Sequence, residues 1–405
     1  MLLKIAFRNI FRHKRRSILT GMMMAGAFVL FSLSFGFVDG GYDMIIDMFT
    51  RDRTGHVQVH VKGYLDKHSL YKKINDVESV GAIIGNAAEV LAWAPRIYGP
   101  ALAFAGRKTT ALNLMGIDPD REPLVTRLRE KVSEGSFVSD DPLAYEIILP
   151  AKTARILKIG LGDEVALISQ AADGSPATEL FTVVGLVEDK NSSYGDMTAF
   201  THIDTARDFF VLGKTAHEIT VLLSNHWQSR EAASLINLAL AGSDLEASPW
   251  EVVEAQFYKA MQADLKGNWI TLTVLTVIVA VGVLNTILMV ILERTREYGV
   301  LKAIGTRPSQ VFMLIVLETL ILAGFSILAG AIGGIAANGY FAEYGITYPE
   351  PIEWGGMTIQ YMKARITLRT LWIPSLVIFA TALLVSIWPA IRAARIVPVK
   401  ALREG

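Results

Sequence analysis

Four long apolar runs dominate this 405-residue chain, at about residues 17–38, 268–292, 311–341 and 371–391. A hydrocarbon core of about 30 Å is crossed by roughly 20 helical residues rising 1.5 Å each. No water reaches the backbone there, so every run must satisfy its own N–H and C=O groups, and a helix does so. The pattern predicts a membrane protein of four transmembrane α-helices, with a large α+β extracytoplasmic domain between the first and second. The chain is 52% hydrophobic with mean hydropathy +0.37, as such a plan requires. Basic "KIAFRNIFRHKRRS" precedes the first run, as in a signal peptide. That run is span-length, however, and no A-x-A-like site follows it, so a retained span is expected.

Lys and Arg are held preferentially in the cytoplasm. Lys4, Arg8, Arg12, Lys14, Arg15 and Arg16 precede the first run. Arg294, Arg296, Lys302 and Arg307 lie between the second and third, and Arg392, Arg395, Lys400 and Arg403 follow the fourth. With four spans all three groups share one side. Both termini (1–16 and 392–405) and the loop 293–310 are therefore expected in the cytoplasm. Residues 39–267 and the loop 342–370 are expected to face outward. Lys4, Arg8 and Arg12 recur every four residues, opposite Leu3, Phe7, Ile10 and Phe11. This reads as an amphipathic helix on the inner lipid interface, or as a topogenic charge cluster. The formal net charge is zero, which gives no pull toward nucleic acid. There is no cysteine, which excludes disulfides, thiolate metal sites and cysteine nucleophiles.

The stretch 39–267 has ordinary soluble composition. "GHVQVHV", "ALAFAG", "TALNLMGI", "DEVALIS" and "LFTVVGLVE" read as strands. "PAKTARILKIGLGD", closed by Gly160 and Gly162, reads as a helix, as do "TARDFF" and "SREAASLINLALAG". "GGYDMIIDMFTRD" and "EVVEAQFYKAMQADLKGN" would be stalk helices continuing the first two spans. In the latter Val253, Phe257 and Met261 form one stripe. His56 and His60 would share a solvated strand face, a pair too small for a metal site without a further ligand.

No G-x-x-x-x-G-K-[ST], H-E-x-x-H or G-x-S-x-G occurs. ATP hydrolysis by a phosphate loop and the matching hydrolase chemistries are thereby excluded. No catalytic or metal residue is expected. Asn285 and Glu318 are polar residues inside spans. Glu318 is about two turns into the third run and can pair with a cation at the inner interface. Ser326, Gly330 and Gly334 make a small-xxx-small row for helix packing, within the chain or between chains.

The most shaped loop is "ERTREYGVLKAIGTRPSQVF", 293–312. Residues 295–304 have helical character, with Gly305 positioned to end the helix and Pro308 to open the next. At 100° per residue Glu297, Val300, Leu301 and Ile304 share a face, with Tyr298 and Lys302 opposite. Extended to Glu318, the stretch resembles the loop between spans two and three in ABC-transporter permeases of the MacB, FtsX and LolC/LolE superfamily. "LLKIAFRNIFRHKRRS", "MGIDPDRE", "EGSFV", "KIGLGDEVAL", "FTVVGLVE" and the closing "IRAARIVPVKALREG" are similar to the same family, with the lipoprotein-release branch nearest. The departure is "ILPAKTARIL", where the family more often has a glycine near Pro150.

The resemblance implies mechanotransmission. A cytoplasmic ATPase dimer binds ATP and Mg, and a permease pair, identical or related, carries its motion to the outward domains. This chain would then be a non-catalytic subunit without a cofactor of its own. Nothing precedes Met1, so the ATPase is expected as a separate chain. The segment 295–304 becomes a coupling helix that meets the ATPase through Glu297, Val300, Leu301 and Ile304, with Gly305 closing it. The implied cargo is a lipoprotein or other lipid-like molecule passed to a periplasmic carrier. The alternatives are control of a periplasmic enzyme, as in FtsX-like members, and efflux of a small amphiphile or peptide.

Overall fold

The computed structural model describes residues 2–12, 14–87, 89–187, 197–354 and 357–397. The chain divides into two compact units: Met1–Met44 with Met261–Thr347 and Tyr361–Gly405, and Ile45–Ala260 with Tyr348–Gln360.

The first unit is helical. A short helix, Leu2–Arg12, precedes four helices long and apolar enough to cross a membrane. These are Lys14–Phe49, Ala255–Glu293, Pro308–Tyr344 and Arg369–Ala394, here called spans one to four. Their shared core includes Phe28, Phe31, Ile287, Ile315, Ile378 and Ala390. The small row of span three packs on span one within the chain. A Cβ on Gly330 would lie 2.6 Å from Cβ of Phe28, and one on Gly334 would lie 2.8 Å from Oγ of Ser32. Ser326 is buried beside them. Asn338 extends the row, donating to Ser32 Oγ at 2.9 Å.

The short helix turns Ala6 and Ile10 inward, while Leu3, Phe7, Phe11 and the cations Lys4, Arg8 and Arg12 stay exposed. Ile10 therefore leaves the apolar group expected for it, because the protein core and not lipid takes it. After span three the chain forms strands Ile346–Trp354 and Met357–Met362, a two-stranded sheet where a plain loop was expected. The following strap lies on span one. Arg365 N–H donates to Gly36 O at 2.9 Å, and a Cβ on Gly40 would sit 2.3 Å from Lys363 O. Asp43 pairs with Arg365, and Asp39 pairs with Arg369 at 3.3 Å.

The second unit is built on a ten-stranded mixed sheet. Its strands are β1 Val57–Val61, β2 Val90–Ala105, β3 Lys108–Ile117, β4 Val132–Gly135, β5 Glu146–Pro150, β6 Glu164–Gln170, β7 Pro176–Val187, β8 Thr198–His202, β9 Glu218–Leu223 and β10 Leu245–Pro249. The order is β10-β1-β9-β2-β3-β8-β5-β7-β4, with β6 pairing β2 and β7. The β3/β8 and β5/β7 pairs are parallel. Helices Val77–Gly85, Ala151–Leu157, Ile203–Phe209 and Ser229–Ala239 make the domain α+β.

Register sets a buried ion cluster. Arg96 of β2 lies opposite Glu218 of β9 and donates to it at 3.1 Å, while its other nitrogens reach Glu122 at 2.6 and 3.0 Å. A buried guanidinium is tolerated only when paired this fully.

Three local expectations are corrected. The helix after Pro150 stops at Leu157, where Lys158 itself turns left-handed at φ 61°, before either glycine. Val253 belongs to a separate turn, Trp250–Val253, because Glu254 breaks the helix; the stripe is interrupted there and Phe257 instead stacks on Phe49 at 4.8 Å. His56 and His60 are buried and not solvated, because β1 is an inner strand between β9 and β10.

Candidate coupling site

The segment between spans two and three folds as helix Thr295–Ala303 and is tied down at both ends. At its start Arg294 is 7% exposed. Its Nε donates to Glu297 at 2.9 Å, and Nη1 donates to both oxygens of Glu318 at 3.1 and 3.2 Å. One guanidinium thus joins the helix to span three. Asn9 of the N-terminal helix also hydrogen-bonds Glu318. The intramembrane carboxylate therefore anchors the junction. Removing it would strip the buried Arg294 of one carboxylate and leave it with Glu297, so the loss stays below the roughly 3–5 kcal/mol of a fully orphaned buried charge.

At the other end Gly305 has φ +101°, a conformation that side chains with a Cβ rarely adopt. Its N–H reaches Lys302 O at 3.2 Å, and Thr306 N–H reaches Leu301 O at 3.0 Å. These two bonds are the paired 5→2 and 6→1 contacts of a Schellman stop. The next helix opens with Pro308 in its first turn, and the Gln310 side-chain oxygen accepts the Arg307 N–H at 2.9 Å. Lys302 Nζ donates to the carbonyls of Ala394 and Ile396 at 2.8 and 2.6 Å. It satisfies acceptors that the end of span four leaves open.

The faces differ from expectation. Tyr298 is fully buried in the helical core, and burial pushes its hydroxyl above the ordinary phenol range, with Arg294 opposing. Val300 is 44% exposed and Ile304 75%, beside a half-exposed Glu297. Leu301 does not join them: it is half-buried and packs on the core. It lies about 40° from Glu297 on the Tyr298 side, at the margin of the face, and the core claims it. Lys302, placed on the opposite face, is an anchor. Arg294, Tyr298 and Lys302 are the site residues that sequence reasoning missed. The signal for the first was available, as Arg294 stands three residues before Glu297 and near the only carboxylate of span three's apolar run.

Asn285 lies elsewhere, exposed on span two. Ser326, Gly330 and Gly334 serve the contact between spans one and three and are not brought to this helix.

Comparison with known proteins adds two family matches. Residues 17–238 match the MacB-like periplasmic core domain, and residues 269–398 match the FtsX-like permease C-terminal domain. The lipoprotein-releasing system transmembrane protein LolC of Neisseria meningitidis is 25% identical over 62% of this chain and 61% of its own length. LolC of Xylella fastidiosa is 23% identical over 82% of each chain. The periplasmic region of MacB from Actinobacillus actinomycetemcomitans aligns at 15% identity over 52% of this chain and 95% of its own, with TM-score 0.37. The first family match spans more than half of the residues and the second adds spans two to four, so the chain belongs to the MacB/FtsX/LolC family of ABC-transporter permeases.

Proposed function

We propose that this chain is the non-catalytic permease subunit of an ABC complex in a bacterial inner membrane. Its helix Thr295–Ala303 docks on a separate cytoplasmic ATPase that binds ATP and Mg. Motion of that ATPase passes through the spans to the outward domain, which releases a lipoprotein or similar lipid-like cargo toward a periplasmic carrier. One observation carries the coupling step. A short helix is pinned to spans three and four through Arg294 and Lys302, yet leaves Val300 and Ile304 uncovered. A rigid lever with an apolar outer face suits a helix-in-groove contact. The cargo reading draws its support from the two LolC relatives, whose name is that of a lipoprotein-releasing system.

The test is to purify the tagged chain from its host in mild detergent and identify bound proteins by mass spectrometry. An ATPase with a phosphate loop, a second permease and lipidated cargo are expected. ATPase activity that persists in the chain after every other subunit is removed would defeat the assignment. Reporter fusions at residues 120 and 355 should read outside, and one within 293–307 should read cytoplasm.

A further inference from the structure

A groove of about 530 Å³ lies within the helical unit, between the short N-terminal helix, span one and span three. Span one lines it with Lys14, Ile18, Met22 and Ala25, spaced as one helical face. Span three adds Phe325 and Ala329, and Phe11 of the short helix completes it. The two hydroxyls in its wall are already spent: Ser17 donates to Ile10 O at 2.9 Å, and Ser326 donates to Leu322 O at 2.7 Å. Among the described residues that line the groove, Lys14 alone is charged. From Lys14 to Ala25 is about 17 Å of helix, close to one leaflet of a core of roughly 30 Å. Charge is lopsided at the Lys14 end. Lys4, Arg8, Arg12, Lys14 and Arg15 are exposed and make no ion pair among the described residues, and the chain has no Asp or Glu before Asp39.

We infer that this groove seats an anionic phospholipid, with one acyl chain along Ile18, Met22, Ala25 and Phe325 and the phosphate at Lys14. A leaflet-deep apolar channel that ends at a lysine and a cluster of unpaired cations complements that molecule at both ends. A zwitterionic lipid fills the channel but leaves the cluster uncompensated. A second copy of the chain fits worse, because a two-fold contact on this face sets two cation clusters against each other. The seated lipid touches all three helices and so fastens the short helix to spans one and three. The inference rests on reading these helices as membrane spans, and it goes beyond the coupling step and needs no ATPase.

Photolabelling of the full chain in phosphatidylcholine nanodiscs tests it. A trace lipid probe carries a diazirine on one acyl chain and either a phosphatidylglycerol or a phosphatidylcholine headgroup. The glycerol probe should label the peptides around residues 18–25 and 325–329 saturably, and at least about fivefold more than the choline probe. On the exposed Val277 and Val281 of span two the probes should label alike. Lys14→Gln, at an exposed position, should cut groove labelling by the glycerol probe at least about threefold. Ala329→Phe, which fills the groove, should do the same, and Leu328→Phe, exposed beside it, should not. Should Ala329→Phe fail to fold, Lys14→Gln decides alone. Equal groove labelling by both probes, wild-type labelling in Lys14→Gln, an equal loss in Leu328→Phe, or a groove that neither probe reaches, as under a second copy, would each overturn the inference.

Discussion

His56 stands just before β1 with 4% of its surface exposed, and its Nδ1 accepts the Leu223 N–H at 3.0 Å. Burial first, and then His226, push it from 6.5 down to about 4. The unfolded chain therefore binds a proton that the folded one refuses. The stability this represents is intact above pH 6.5 and is lost as pH falls toward 4, up to about 3 kcal/mol for the full shift. His60 and His217 are lowered too, chiefly by burial, while buried Asp52 and half-buried Glu254 are raised and act in the opposite sense. The informative comparison is thus with His56→Asn, whose Oδ1 can still accept from Leu223. Thermal unfolding of the wild type should weaken more between pH 7 and pH 5 than that of the variant, and parallel losses would refute the assignment. Gly40 gives a second residue-scale test. A Cβ there meets the backbone oxygen of Lys363 at 2.3 Å, and one on Gly26 meets nothing within 4 Å. Gly40→Ala should cost about 1–3 kcal/mol, as overpacking does, and Gly26→Ala should cost far less in the same melt. Neither position could be ranked from sequence, because a close approach depends on what a distant strap brings. Alternation around His56 and His60 revealed a strand but not that it lies inside a sheet.

At the scale of one element, helix Thr295–Ala303 shows what periodicity can and cannot settle. Its ends were legible, since Gly305 and Pro308 act through their own backbone chemistry. Its faces were not, because apolar residues lie on both sides: Tyr298 and Leu301 toward the core, Val300 and Ile304 away from it. Only the packing of spans three and four decides between them. If the outer face meets an ATPase groove, Ile304→Asp puts a carboxylate into that contact, worth several kcal/mol if it stays dry. The variant should insert and melt as wild type does but lose the ATPase on purification. Leu301→Asp would instead disturb the chain's own core and lower its melting temperature. Retention of the ATPase by Ile304→Asp would reassign the face. Lys302→Ala should also loosen the end of span four, since it frees two carbonyls at once. Protease sensitivity near residue 395 would report that loosening.

For the whole molecule, hydropathy revealed the four spans and the position of the large domain, because a bilayer imposes length and polarity on each segment by itself. Strand order was hidden. β1 finds β9 and β10 at the far end of the domain, pairings that no local pattern encodes. Partners are hidden for the same reason, yet one polar residue points to them. In span two 17% of the most apolar window is buried, against 39% in each of the others, so most of that helix is uncovered. Lipid suits its Val274, Val277, Ile278 and Val281 but not the exposed Asn285, eight residues or about 12 Å before Glu293. A second permease presenting the same face would let the two amides donate to and accept from each other, as a two-fold interface allows. Interhelical bonds of this kind contribute about 0.6–2 kcal/mol in membranes, roughly a three- to thirtyfold change in association. Asn285→Leu should lower energy transfer between labelled chains diluted in lipid vesicles by that factor, without changing the melting temperature of the single chain. Unchanged association would place the permease contact on another face and leave Asn285 to pair with something other than a second copy.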